Sequence, residues 1–164
     1  MSELKEELTE EEFLKRLHSI VRHIRNVQER GLLLAERLVE NGESDLARRL
    51  VQRCFSHDND KFDKLQFNAL NGSDKSLLKL VVDHHRSINR HHPEFHESIF
   101  VMSDLDLSEL CIDWSSRASE AGTNLRDWIK DSAMERFDFK IQSRCYQKIK
   151  KYVDLLLDEP MKKV

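Results

Sequence analysis

The sequence predicts an all-α fold, a single compact bundle of about six or seven helices. Two observations carry this. Only four Gly and two Pro occur in 164 residues, too few for the tight turns of an all-β chain. Apolar residues recur at three- and four-residue spacings along most of the length, and no segment reads convincingly as the period-two alternation of a strand.

The first helix begins near Thr9, because Thr9 and Glu12 have capping-box spacing. Phe13, Leu14, Leu17, Ile20, Val21, Ile24 and Val27 then recur at helical intervals, and the pattern runs through Leu34 and Leu38 to a stop at Asn41-Gly42. Gly31 falls inside it and marks a bend or a close helix contact. A second helix follows Ser44, with Leu46, Leu50, Val51 and Phe55 on one face. After a break at Asn71-Gly72, Ser73 is positioned to cap a helix whose Leu77, Leu78, Leu80, Val81 and Ile88 face inward. Pro93 ends that helix or bends the chain before it. Ser103 opens a helix carrying Leu105, Leu107, Leu110, Cys111 and Trp114, and Gly122 closes it. Segments 124–137 and 138–157 supply the last helical patterns.

Residues 1–164 form one domain, with frayed ends expected at 1–8 and 159–164. That length suffices to bury one core. Hydrophobic residues make up 39% and charged residues 35%, with a net charge of −3. This balance argues against a dedicated surface for long nucleic acid. No apolar run reaches the roughly 18–20 residues of a membrane span. The start, MSELKEELTEEEF, lacks the basic-then-apolar order of a secretory leader. Cys54, Cys111 and Cys145 are odd in number and form no Cys-x-x-Cys pair, so they read as reduced, buried thiols of a cytoplasmic protein. The acidic first helix and the 124–157 region are the surfaces on which a homodimer would form.

Eight His occur, and six lie between His57 and His96. His57-Asp58 pairs a neutral nitrogen donor with an anionic oxygen, a combination suited to divalent Mn, Fe, Co, Ni or Zn. His23 shares a helical face with Ile20, Ile24 and Val27. Alone it reads as a core histidine, with a metal ligand as the alternative. In VVDHHRSINRHHPEFH two His pairs stand seven residues apart, nearly two helical turns. The Leu77, Val81, Ile88 stripe runs through His84 to His91, which makes these two the preferred ligands. His85 and His92 lie on the adjoining shoulder, next in line as ligands or as substrate contacts. Imidazoles crowded together repel if protonated, and a shared cation removes that repulsion. Asp113 sits on an apolar helix, where burial demands a metal or a cation such as Arg117. A helix-edge surface position is its other reading. His18 reads as surface, and His96 as surface or as support for the ligands.

The ordered set His23 … His57-Asp58 … Asp113 resembles the HD metalloprotein superfamily. The stretches HIRNV, HDNDKF, HHRSINRHHPEFH and DLSELCIDW look like a phage and bacterial branch of HD-like proteins. The resemblance spans about residues 13–157 and implies a helical bundle whose His23, His57, Asp58 and Asp113 hold a divalent metal. Two-metal members add two histidines between the His-Asp pair and the last Asp, and often a Lys three residues after the first, here Lys61. The resemblance therefore implies one or two ions, with Asp58 bridging. The His pairs here are closer together than the corresponding ligands usually are. The glycine-containing motif of the cyclic-dinucleotide enzymes is also missing.

The expected activity is hydrolysis of a nucleotide or other small phosphoester through a metal-activated water. Lys61 would stabilise developing negative charge, Arg86 and Arg90 would contact phosphate, and Glu94 would assist proton transfer. A di-iron oxygenase acting on a small polyol or phosphonate, as in myo-inositol oxygenase, is the runner-up. A non-catalytic, metal-stabilised helical module is the third reading.

Overall fold

A computed structural model describes residues 8–158. Apart from Leu8, the segments expected to fray lie outside the described residues. The described chain is helical throughout, with no strand. Helix α1 (Glu10–Glu40) starts on the predicted capping box: Thr9 accepts from the Glu12 amide and Glu12 accepts from the Thr9 amide. α2 (Ser44–Phe55) packs against α1 in antiparallel sense, after a turn in which Gly42 takes a φ of 82°. A 3-10 turn (Asn59–Phe62), α3 (Lys64–Leu70), α4 (Lys75–Ile88) and two further 3-10 turns (Pro93–Phe95 and Ile99–Val101) form the middle of the chain. α5 (Asp104–Ala121) follows, opened by the Ser103/Asp106 capping box and closed by Gly122 in the left-handed region. α6 (Leu125–Trp128), a π-helical turn (Ile129–Ala133) and α7 (Met134–Arg136) run on unbroken, and α8 (Arg144–Leu157) ends the described chain. Counted with 125–136 as one run, the described helices number seven, as the sequence predicts.

α1, α2, α5 and α8 form the bundle. Its core joins Val27, Leu34 and Leu38 of α1, Leu50 of α2, Leu110 and Ile112 of α5, and Ile149 and Val153 of α8. Each of these is at most 2% exposed, so burial of these side chains supplies most of the fold's driving force. Gly31 is the close contact: a Cβ there would stand 2.6 Å from Cys54 Sγ. α5 is the central helix, buried from Leu105 to Ser116 on every face. All three cysteines are free and buried. Among the described residues no helix is long and apolar enough to cross a membrane.

Several local expectations are corrected. Asp74, not Ser73, caps α4, accepting from the amides of Ser76 and Leu77. Leu80 and Ile88 are exposed, because the inward stripe of α4 runs through Val81 to His85. Phe55 also faces solvent. The last helix starts at Arg144, after a turn that includes Asp138 at a φ of 51°.

Candidate metal centre

The site is built where α1, the end of α2, α4 with the turn after it, and α5 meet. α1 directs His23 inward one turn before Val27. α2 ends at Phe55, and the next residues place His57 and Asp58 in the interior, both 2% exposed. Asp58 adopts a left-handed φ of 57°. That conformation costs an L residue roughly 1–2 kcal/mol, and Asp is among the residues that visit it. α4 presents His85. The chain leaves the helix at Asn89, and the following turn returns His91 and His92 to the same place. α5 contributes Asp113.

Asp58 stands at the centre. Its Oδ1 lies 3.2 Å from His85 Nε2, 3.4 Å from His57 Nε2 and 3.5 Å from His91 Nε2. Its Oδ2 lies 3.7 Å from His23 Nε2 and 2.5 Å from Lys61 Nζ. His23 Nε2 is 3.0 Å from Asp113 Oδ1. His92 Nε2 is 3.1 Å from His85 Nε2, so both rings face one point. Three donor groups result: His23, His57 and Asp113 on one side, Asp58, His85, His91 and His92 on the other, and His57, His91 and Glu109 behind them.

The far nitrogens of these rings are held by carboxylates. His57 Nδ1 lies 3.0 Å from Glu109 Oε1, and His91 Nδ1 lies 3.4 Å from the same oxygen. His23 Nδ1 is 3.0 Å from Glu120 Oε1, which also accepts from Asn26. His85 Nδ1 is 2.7 Å from Asp60 Oδ2, which also accepts from Gln66. An Nδ1–H donated to a carboxylate leaves Nε2 as a lone-pair donor, the arrangement that orients metal-ligating histidines. Glu109 therefore lies behind His57 and His91 and supports them. The Nε2 atoms of His23, His57 and His91 and Oδ1 of Asp58 are buried and none makes a well-formed hydrogen bond, although His23 Nε2 lies beside Asp113 and Asp58 Oδ1 beside His85. Buried polar atoms are rarely left unpaired. Four of them aimed at one small volume fit a cation, so the residues present accept the group that the sequence implies.

Electrostatics agree. Burial works to raise the Asp58 carboxyl, but His57, His85 and Lys61 outweigh it and hold Asp58 well below the usual carboxylate range. At Asp113 burial is likewise overridden, chiefly by His23 and then His57 and His91. Glu109 is drawn down to about 2 against its burial by the hydrogen bonds from His57 and His91. Burial, aided by His91, pushes His92 down to about 3, which keeps that ring neutral. Burial opposes protonation of His85, but Asp58 and Asp60 raise it to about 9.

A cavity of about 520 Å³ opens from this centre. Asp58, Lys61, His85, His92 and Asp113 form its polar end, and Arg86, Arg117 and Arg136 also line it. Lys61 is committed to Asp58, Arg117 to Glu120 and Arg136 to Glu94. Arg86 has no carboxylate partner among the described residues.

The structure thus brings together His23, His57, Asp58, Asp113, His91 and Lys61, with His85 and His92 inside the donor groups. His84 is exposed and belongs to none of these groups, because the inward phase of α4 is one residue later than predicted. Arg90 is turned away, its guanidinium on Asp106 and over the Phe95 ring. Glu94 lines the cavity but is paired with Arg136 at 2.8 Å. The buried partner of Asp113 is His23, while Arg117 goes to Glu120. His18 is exposed as expected, and His96 is spent on the Arg90 carbonyl. Sequence reasoning missed Asp60, Glu109 and Glu120. Glu109 had a signal, since it stands one turn before Asp113 on the same face.

Residues 12–158 match DUF5662, a family of unknown function. The chain belongs to this family. No curated protein and no solved structure matches it. The match takes in all the donor residues and their carboxylate supports, so the centre lies wholly within the matched region.

Proposed function

We propose that the chain is a divalent-metal-dependent phosphohydrolase acting on a nucleotide or another small phosphoester. The observation that carries this reading is the convergence of buried imidazole nitrogens on Asp58 at the end of a cation-lined cavity. His23, His57, Asp58 and Asp113 would hold one cation, and Asp58 with His85, His91 and His92 a second. The set contains imidazole and carboxylate without thiolate, which suits Mn, Fe, Co, Ni or Zn. A cation held there lowers the pKa of a bound water toward neutrality and polarises a phosphoryl oxygen. The protein's own residues do the positioning. Glu109, Glu120 and Asp60 fix the rings. Lys61 lies at the cavity end of Asp58, within reach of developing negative charge. Arg86, with no carboxylate partner among the described residues, offers a guanidinium for a phosphate.

The test is metal analysis of the purified protein, followed by a phosphoester screen with added Mn, Co, Ni and Mg. Phosphate release that His57→Ala and Asp58→Ala abolish, with melting temperatures near the parent's, is the expected result. A collapse of the melting temperature in both variants, with no turnover by the parent, would instead mark a metal-stabilised module. Oxygen consumption by iron-loaded protein without phosphate release would mark an oxygenase.

A further inference from the structure

The cavity has a second chemistry that the metal centre does not use. Away from Asp58 its wall is aromatic, formed by Trp114, Trp128 and Phe137. Trp114 and Phe137 stack with an interplanar angle of 16° and centroids 5.9 Å apart, and Trp128 meets Trp114 edge-on at 5.0 Å. The mutual packing holds the rings in place, so the wall is a preformed apolar corner, with Trp128 set steeply to the nearly parallel Trp114 and Phe137. Trp128 and Phe137 are half-buried, leaving ring area open to a ligand. Ala118 and Ala121 of α5 also line this part, and their small side chains leave room in front of the rings. The volume suits a ligand of drug-like size and exceeds what a phosphate ion alone would fill.

We propose that this wall selects the organic part of the substrate: a phosphomonoester bearing a planar aromatic or heterocyclic ring, with its phosphate at the Asp58 end and its ring against Trp128 and Phe137. The assignment rests on the hydrolase reading for its phosphate end and on the aromatic wall for its ring. A small polyol phosphate would leave the wall bare. A flat ring would stack on one of these two rings, Trp128 or Phe137, and meet the other edge-on, gaining contact that is largely indifferent to ring identity.

The sequence supplies its own reporter, because its two tryptophans are Trp114 and Trp128 and both line the cavity. Phenyl phosphate, adenosine monophosphate, glycerol phosphate and inorganic phosphate are titrated into the full chain, following tryptophan emission and the calorimetric Kd. At least one ring-bearing ester should bind about tenfold more tightly than glycerol phosphate and shift the emission. Tighter binding of the nucleotide assigns a nucleoside, and tighter binding of phenyl phosphate a simple aryl group. Trp128→Ala and Phe137→Leu should each shrink the ring preference while leaving inorganic phosphate binding as it was. Equal affinities for glycerol phosphate and both ring esters in the parent protein would overturn the proposal, as would a ring preference that survives both substitutions. Neither readout requires turnover. A protein that binds ring esters selectively but never hydrolyses them would sink the hydrolase reading and leave only ring recognition by this wall standing.

Discussion

His57 and Glu109 meet at 3.0 Å, from Nδ1 to Oε1, inside the protein. The contact turns the other ring nitrogen toward Asp58. Because Glu109 Oε1 also faces His91 Nδ1, one carboxylate sets two rings at once. Arg53 holds its second oxygen at 2.6 Å. Supports of this kind typically account for about 10–100-fold in metal affinity. Glu109→Ala should therefore weaken Zn or Mn binding by about that factor, and Glu109→Gln by less, because the amide oxygen can still accept. Competition against a chelating dye measures both. Parent-like affinity in the alanine variant would show that Glu109 does not orient the ligands.

The two neighbours in the first His pair should behave oppositely. His84 is exposed, whereas His85 is buried within 3.2 Å of Asp58. His84→Ala should leave the bound metal per chain unchanged, and His85→Ala should lower it. Elemental analysis after dialysis against a metal buffer decides the matter. Loss of metal in the His84 variant alone would contradict the geometry.

That pair also shows how far the sequence could be read. Caps are local, so Thr9/Glu12 and Ser103/Asp106 announce their helices without tertiary knowledge. The order of His23, His57-Asp58 and Asp113 is legible because a motif preserves identity and order. Phase on α4 is not, since Leu80 and Ile88 are apolar yet exposed and pull the inferred stripe one residue away from His85. α5 defeats periodicity for a different reason. It is buried on every side, so its acidic residues cannot be sorted by face into ligand and support. Arg90 sits beside the second His pair in sequence, but the chain turns after Asn89 and takes its guanidinium to Asp106.

Asp106 links the first turn of α5 to two arginines and should leave a mark on acid stability. Burial raises its carboxyl, but the Ser103 hydroxyl, Arg90 and Arg53 prevail and hold it below the ordinary aspartate range. A carboxylate depressed on folding contributes stability that is present above its unfolded value, near pH 4, and lost as pH falls through the folded one. Asp106→Asn should thus lower stability at neutral pH and flatten the loss below about pH 4. Urea melts across that range provide the check. An unchanged acid limb would mean that Asp106 gains nothing from its partners.

The α1–α2 contact gives the sharpest packing prediction. A methyl group on Gly31 would stand 2.6 Å from Cys54 Sγ and 2.7 Å from Cys54 Cβ. Both are closer than non-bonded carbon and sulfur atoms approach, and the helices would have to separate. Overpacking of this kind costs about 1–3 kcal/mol. Ala has the better helix propensity, worth about 0.8–1.0 kcal/mol over Gly, so a net loss from Gly31→Ala would show that the clash outweighs the backbone gain. Removing the sulfur as well, with Cys54→Ala, should not restore the parent stability, because Cβ of residue 54 is itself in the way. Denaturant unfolding of the two single variants and the double variant measures the coupling. A Gly31→Ala protein more stable than its parent would mean that α1 and α2 have slack at this crossing, and full rescue by Cys54→Ala would place the clash on the sulfur alone.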